Sequence, residues 1–181
     1  KAIRRQRQMC IRDRCPILWA LADTMRQWYS AGYSRTCMEL NSNQIQKILP
    51  HRYPFLLVDR ITEMEAGKWA KGIKCVTAGE MHFMGHFPEK HVMPGVLILE
   101  ALAQTGAVAI LSMPEHKGKI LVFGGIKNCR FKEQVVPGDV LELYCELTQL
   151  RGSAGFGKVT ASVDGKVAVQ GEISFVIAGS E

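Results

Sequence analysis

Two side chains suited to proton transfer, His86 and Glu100, stand at either end of one short stretch of this chain. His86 belongs to the loop Gly85-His86-Phe87-Pro88-Glu89-Lys90-His91, and Glu100 lies inside an apolar run that starts at Val96 and continues to Met113. Pro94 joins the two; a proline fits the first turn of a helix, where its missing N–H costs nothing. The run is apolar on every side, which predicts a helix buried all round. Two polar side chains interrupt it early, Glu100 and Gln104, four apart and so on one face. A carboxylate there is expensive to bury without a partner or a task, and His86 is the expected partner. An imidazole, a carboxyl in apolar surroundings and a helix N-terminus with free N–H groups make an acid–base pair beside an oxyanion site.

Blander readings compete. The run from Val96 approaches the length of a membrane span, but Glu100 and Gln104 inside it and the alternating strand patterns after it argue against one. Glu100 alone reads equally well as a satisfied structural carboxylate. His82, His86 and His91 suggest a metal, yet prolines and a glycine break up the segment after His86, and no Cys or Asp joins the set. The expectation is no metal.

The elements that must position these residues read as an α+β domain. Asn41 or Ser42 caps a short helix that turns Ile45, Ile48 and Leu49 to one side and stops at Pro50. Residues 55–61 and 69–77 read as strands, with Gly67-Lys68 turning between them. After the apolar helix, residues 114–119 form a polar loop and 120–126 a strand in which Gly124-Gly125 permit a bulge. Leu141, Leu143, Cys145 and Leu147 alternate with polar neighbours as a half-buried strand, and Val159, Ala161 and Val163 repeat the pattern. Residues 152–157 read as a flexible hairpin loop, and Asp164-Gly165 as a tight turn into a last strand carrying Val167, Val169, Ile173, Phe175 and Ile177. His51 is the one rival to His86 as a base; with no helix N-terminus beside it in sequence, it reads as a supporting residue.

The chain has 181 residues and a net charge of +6. That charge belongs to residues 1–37, which hold eight Lys/Arg and two acids; the rest of the chain balances at fifteen of each. The domain itself therefore gives no electrostatic case for nucleic acid. Residues 1–37 are expected to be a non-native or unstructured extension, read-through rather than a targeting segment, with the domain spanning 38–181. Six Cys without a CxxC pair fit buried free thiols in a reducing, cytoplasmic setting.

Several motifs in order carry a resemblance: Leu49-Pro50-His51-Arg52-Tyr53-Pro54-Phe55-Leu56-Leu57-Val58-Asp59-Arg60, Gly85-His86-Phe87-Pro88, Met93-Pro94-Gly95-Val96-Leu97-Ile98-Leu99-Glu100, Ala103-Gln104, Arg130-Phe131-Lys132 and Val135-Val136-Pro137-Gly138-Asp139. From Met38 to Ala178 the chain resembles the bacterial 3-hydroxyacyl-acyl-carrier-protein dehydratases of type II fatty acid synthesis. The resemblance implies the hot-dog fold, an antiparallel sheet wrapped round one long central helix. It implies dehydration of a (3R)-hydroxyacyl thioester on acyl carrier protein to the trans-2-enoyl product, without a cofactor. It further implies His86 as base, Glu100 as the group that protonates or orients the leaving hydroxyl, and the N–H groups of Gly95 and Val96 as holders of the thioester oxygen. A homodimer is implied, often a trimer of dimers, with the His and Glu of one site on different subunits. Phe87, Gln104, Phe123 and His51 are expected at the acyl tunnel or behind the site. Lys127, Arg130, Lys132 and Arg151 are candidates to meet the acidic carrier protein. Two alternatives stay open at this level: a dehydratase that also isomerises its product, and a carrier-binding module that has lost catalysis.

Overall fold

A computed structural model describes residues 38–179; the extension expected at 1–37 lies outside the described residues. After β1 (Leu40–Asn41), helix α1 (Ser42–Ile45) is opened by a capping box in which Asn41 and Gln44 each accept the other's backbone N–H. Strands β2 (Arg60–Glu65) and β3 (Trp69–Cys75) form a hairpin. A 3₁₀ turn, Met81–Met84, leads to the long helix α2, Gly95–Leu111. A second 3₁₀ turn (Pro114–His116) precedes β4 (Ile120–Phe131), β5 (Val140–Arg151), β6 (Ala154–Val163) and β7 (Lys166–Ala178).

The seven strands make one antiparallel sheet in the order β1-β2-β3-β5-β6-β7-β4. Helix α2 carries the chain from β3 in mid-sheet to β4 at the far edge, packing across β3, β5, β6 and β7 on the way. Leu141, Leu143 and Cys145 face it from β5, Val159 and Ala161 from β6, Val169 and Ile173 from β7. Helix and sheet approach closely at Gly106, where a Cβ would collide with Cys145 Sγ. That close approach explains a glycine in a helix interior, where it costs about 1 kcal/mol relative to alanine. Burial pushes the Cys145 thiol up to about 12, so it is inert packing at neutral pH. Cys75, by contrast, is exposed, so the thiols are not uniformly buried as expected.

Three expectations change. Residues 55–59 are not strand: β2 begins at Arg60, because the backbone of Phe55 and Leu57 bonds to a side chain of α2 rather than to a neighbouring strand. Residues 154–157 are strand rather than loop, the turn being confined to Gly152 and Ser153. Gly155 is there because the Phe175 ring from β7 occupies the place a Cβ would need. Helix α2 is buried from Ile98 onward except at the half-buried Glu100 and Ala103, but its first turn is open, with Val96 68% exposed. Strand β4 keeps the expected irregularity between Phe123 and Gly125 but runs on to Phe131 through a second one between Lys127 and Arg130. It is an edge strand and exposes Ile120, Val122, Phe123, Ile126 and Phe131.

Candidate active site

The first turn of α2 supplies the candidate anion site. Pro94 is its N-cap, and its carbonyl receives the N–H groups of Leu97 (2.9 Å) and Ile98 (3.2 Å). The Gly95 and Val96 N–H groups have no acceptor among the described residues, as expected at the start of a helix. A Cβ at Gly95 would lie 2.5 Å from Phe131 Cε1, so any larger residue there would have to displace that ring.

The loop before the helix fixes His86. Its N–H donates to the His82 carbonyl (3.0 Å), and its own carbonyl receives the N–H of Val92 (3.1 Å). Nδ1 stands 2.7 Å from the Val92 carbonyl oxygen. A carbonyl only accepts, so Nδ1 carries a proton, and in the neutral ring the lone pair is therefore on Nε2. The ring stacks on Phe87, centroids 4.1 Å apart, across a cis peptide.

Glu100 is half-buried, and within this chain its partner is not the expected His86. Oε1 accepts from Gln104 Nε2 (2.9 Å) and lies 3.6 Å from His51 Nε2. The helix accounts for the first contact, since Gln104 is one turn on. The His86 ring is instead drawn to Val92. His51, Glu100 and Gln104 form the polar end of an apolar slot that runs along α2 past Ala103 and Ala107 to Ile110, with Phe123 in its wall.

The arrangement is that of a proton acceptor, a half-buried carboxyl with one oxygen tied down, two free N–H donors and an apolar slot. Residues 49–172 match the FabA-like domain family. The chain is 65% identical over 138 residues to the 3-hydroxyacyl-[acyl-carrier-protein] dehydratase FabZ of Clostridium botulinum, covering 76% of this chain and 96% of that one. The chain belongs to this dehydratase family. A relative of the same name from Exiguobacterium sibiricum is 63% identical over 74% of this chain and 96% of its own length. Among solved structures, the fold is similar to a chain of the dehydratase heterocomplex ApeI:P from Xenorhabdus doucetiae, with TM-score 0.65 and 18% identity over 75% of this chain and 91% of that one. It is also similar to a hypothetical thioesterase with coenzyme A from Streptococcus pneumoniae, TM-score 0.52 and 12% identity over 67% and 86%. The hot-dog architecture expected from the motifs is thus the one observed.

Within this family member, Gln104 does more than its sequence position suggested. It is 1% exposed. Its Nε2 donates to the Phe55 carbonyl (2.8 Å) as well as to Glu100, and its Oε1 accepts the Leu57 N–H (2.8 Å). One amide therefore holds the carboxyl and satisfies the backbone that carries on from His51. Replacing Gln104 by Leu orphans a buried N–H and a C=O at about 1–3 kcal/mol each. The expected loss is roughly 2–6 kcal/mol by urea unfolding at fixed protein concentration, as large as deleting a core side chain.

The carrier-contact candidates separate. Lys127, Arg130 and Lys132 lie exposed along or just after the end of β4. Arg151 ends β5 opposite Ala154, in line with Val176 of β7 and Val122 of β4, and so stands apart from them. Among the described residues no group of three His, Cys, Asp or Glu could hold a metal, and no helix is long and apolar enough to cross a membrane.

His82 is a titrating group that sequence reading considered only as a ligand. Burial lowers its pKa, Lys74 and His86 lower it further, and Glu80 opposes them; its Nε2 is buried without a partner. Above the ordinary value of 6.5 the ring is neutral in folded and unfolded chains alike. As pH falls below that value the unfolded chain takes a proton that the folded chain resists, and stability declines. Melting curves across this range should show the decline in the wild type and a shallower one in His82→Phe.

Proposed function

We propose that this chain dehydrates (3R)-hydroxyacyl thioesters carried on acyl carrier protein, giving the trans-2-enoyl product in type II fatty acid synthesis. The support is 65% identity to a dehydratase of that name along 96% of its length. The catalytic assignment rests on the His86 Nδ1 bond to Val92, which leaves Nε2 free to act as base.

The residues divide the reaction as follows. His86 Nε2 takes the proton from C2, and the electron pair moves toward the thioester oxygen. Gly95 and Val96 N–H groups, at the positive end of α2, receive that oxygen; one such donor is worth about 3–4 kcal/mol in comparable sites. The enolate then collapses, the C3–O bond breaks, and protonated Glu100 gives its proton to the departing hydroxyl, releasing water. Glu100 Oε1 is tied to Gln104, so the other carboxyl oxygen meets the substrate. His86 returns its proton to solvent, Glu100 regains one, and no cofactor enters. The acyl chain lies in the slot beside α2, bordered by Phe123.

His86 and Glu100 are not partners within one chain, and the chain leaves open the first turn of α2, Phe87 and the edge strand β4. A long apolar edge of this kind is a template for pairing. We place a second copy there, so that His86 of one subunit works with Glu100 of the other, in a homodimer that extends to a trimer of dimers. Lys127, Arg130 and Lys132 draw in the acidic carrier protein, with Arg151 too far round to join them. The setting is the cytoplasm.

The test is incubation of the purified protein with 3-hydroxybutyryl carrier protein, followed by mass spectrometry of the carrier. Loss of one water and growth of enoyl thioester absorbance are expected. An unchanged substrate, verified as loaded and accessible, would sink the reading.

A further inference from the structure

A base positioned by a loop is only as good as what holds the loop. On the reading above that base is His86, and three titratable side chains that the reaction does not use are grouped at its support. Lys74 of β3 is 5% exposed, and its ammonium meets Glu80 Oε2 at 2.8 Å. Glu80 Oε1 accepts the Thr77 N–H at 3.0 Å, so the carboxylate is held from two directions. Glu80 is also the N-cap of the 3₁₀ turn Met81–Met84. Within that turn, His82 presents its carbonyl to the N–H of Gly85 (3.3 Å) and of His86 (3.0 Å). The His82 ring lies between Glu80, at 4.0 Å from Oε2, and the buried Phe83 ring, 4.2 Å between centroids. A continuous set of contacts therefore runs from a buried ammonium on the sheet to the backbone of His86.

A buried ion pair is a poor stabiliser: apolar side chains of the same size commonly replace one without loss, because both charges must shed water. Lys74 shares its inward face with Ala70 and Gly72, where a methionine would serve packing equally well. What the pair supplies and a methionine does not is direction, a fixed point for Glu80 and hence for the turn. We propose that the Lys74–Glu80 ion pair is the positioning device for His86, acting through the turn and the His82 carbonyl.

The test compares Lys74→Met, Glu80→Gln and the double variant, with His86→Ala as control, in the dehydration assay. Glu80→Gln strands a buried charge and should melt earlier. The double variant removes both charges and should regain most of that loss. Its kcat should nevertheless stay down by roughly 10- to 100-fold, the effect of a misplacement of about 1 Å, with KM within about twofold. The His86 imidazole resonances, assigned by their loss in His86→Ala, should shift or broaden. Should the double variant not fold, Lys74→Met alone decides, since it removes the buried charge and leaves Glu80, 21% exposed, to hydrate. A charge-free variant with wild-type kcat and unmoved His86 resonances overturns the proposal. If His86→Ala is itself fully active, the assignment of His86 falls first and takes the positioning role with it; an inactive His86→Ala beside fully active Lys74 variants removes the positioning role alone.

Discussion

Replacing His86 by alanine is expected to cut turnover by roughly 10²- to 10⁴-fold, the range for loss of a positioned base, without a comparable fall in melting temperature. The imidazole is half-buried, and among the described residues its side-chain hydrogen bond goes to the carbonyl of Val92, in its own loop. The backbone bonds that shape the loop, His86 to His82 and Val92 to His86, do not depend on the side chain. His51→Ala should behave differently. His51 lies 3.6 Å from Glu100 and packs against Phe55, rings tilted with centroids 6.1 Å apart, so its removal loosens the segment that Gln104 ties down and lowers melting temperature more than turnover. Rates and melting curves on both variants check the pair. Equal loss of rate in His51→Ala at unchanged melting temperature would make His51 a participant in the chemistry.

The start of α2 and the two polar residues inside it were legible because a proline, a glycine and an apolar run announce a helix start, and polar residues inside such a run demand explanation. Gln104 was visible as polar but not as a bond-maker, because its backbone partners are 47 and 49 residues away. The same distance explains the misread strand at 55–59: its apolar residues look like a strand, and only the tertiary contact shows that its N–H and C=O are taken by a side chain. Lys74 was hidden by parity. Trp69, Ile73 and Cys75 look like the inward set of β3, yet Ala70, Gly72 and Lys74 are the buried ones. Small residues let α2 and β2 approach, which makes Lys74 an inward lysine that composition cannot reveal. The open first turn of α2 departs from a helix buried all round; in the proposed dimer a second copy covers that turn together with the edge of β4.

That last point carries the largest expected effect after loss of His86, a recovery of activity from two inactive proteins. If each site takes His86 from one subunit and Glu100 from the other, His86→Ala and Glu100→Gln homodimers are both inactive. A mixed dimer then has one site with both lesions and one with neither, as isologous symmetry requires. Random pairing makes about half the dimers mixed, each with one of two sites intact, so activity should return to about a quarter of wild type. Glu100→Gln keeps the size of the side chain and removes its ionisable proton, and the contact of its oxygen with Gln104 can persist, so the loss is chemical rather than a packing defect. The two variants must be co-expressed, or unfolded and refolded together, because an apolar edge-to-edge interface exchanges slowly. Differently tagged subunits purified in tandem would prove that the mixed species is present. Mixed dimers verified in this way and still inactive would put both residues of each site on one chain, and the shared site would have to be abandoned.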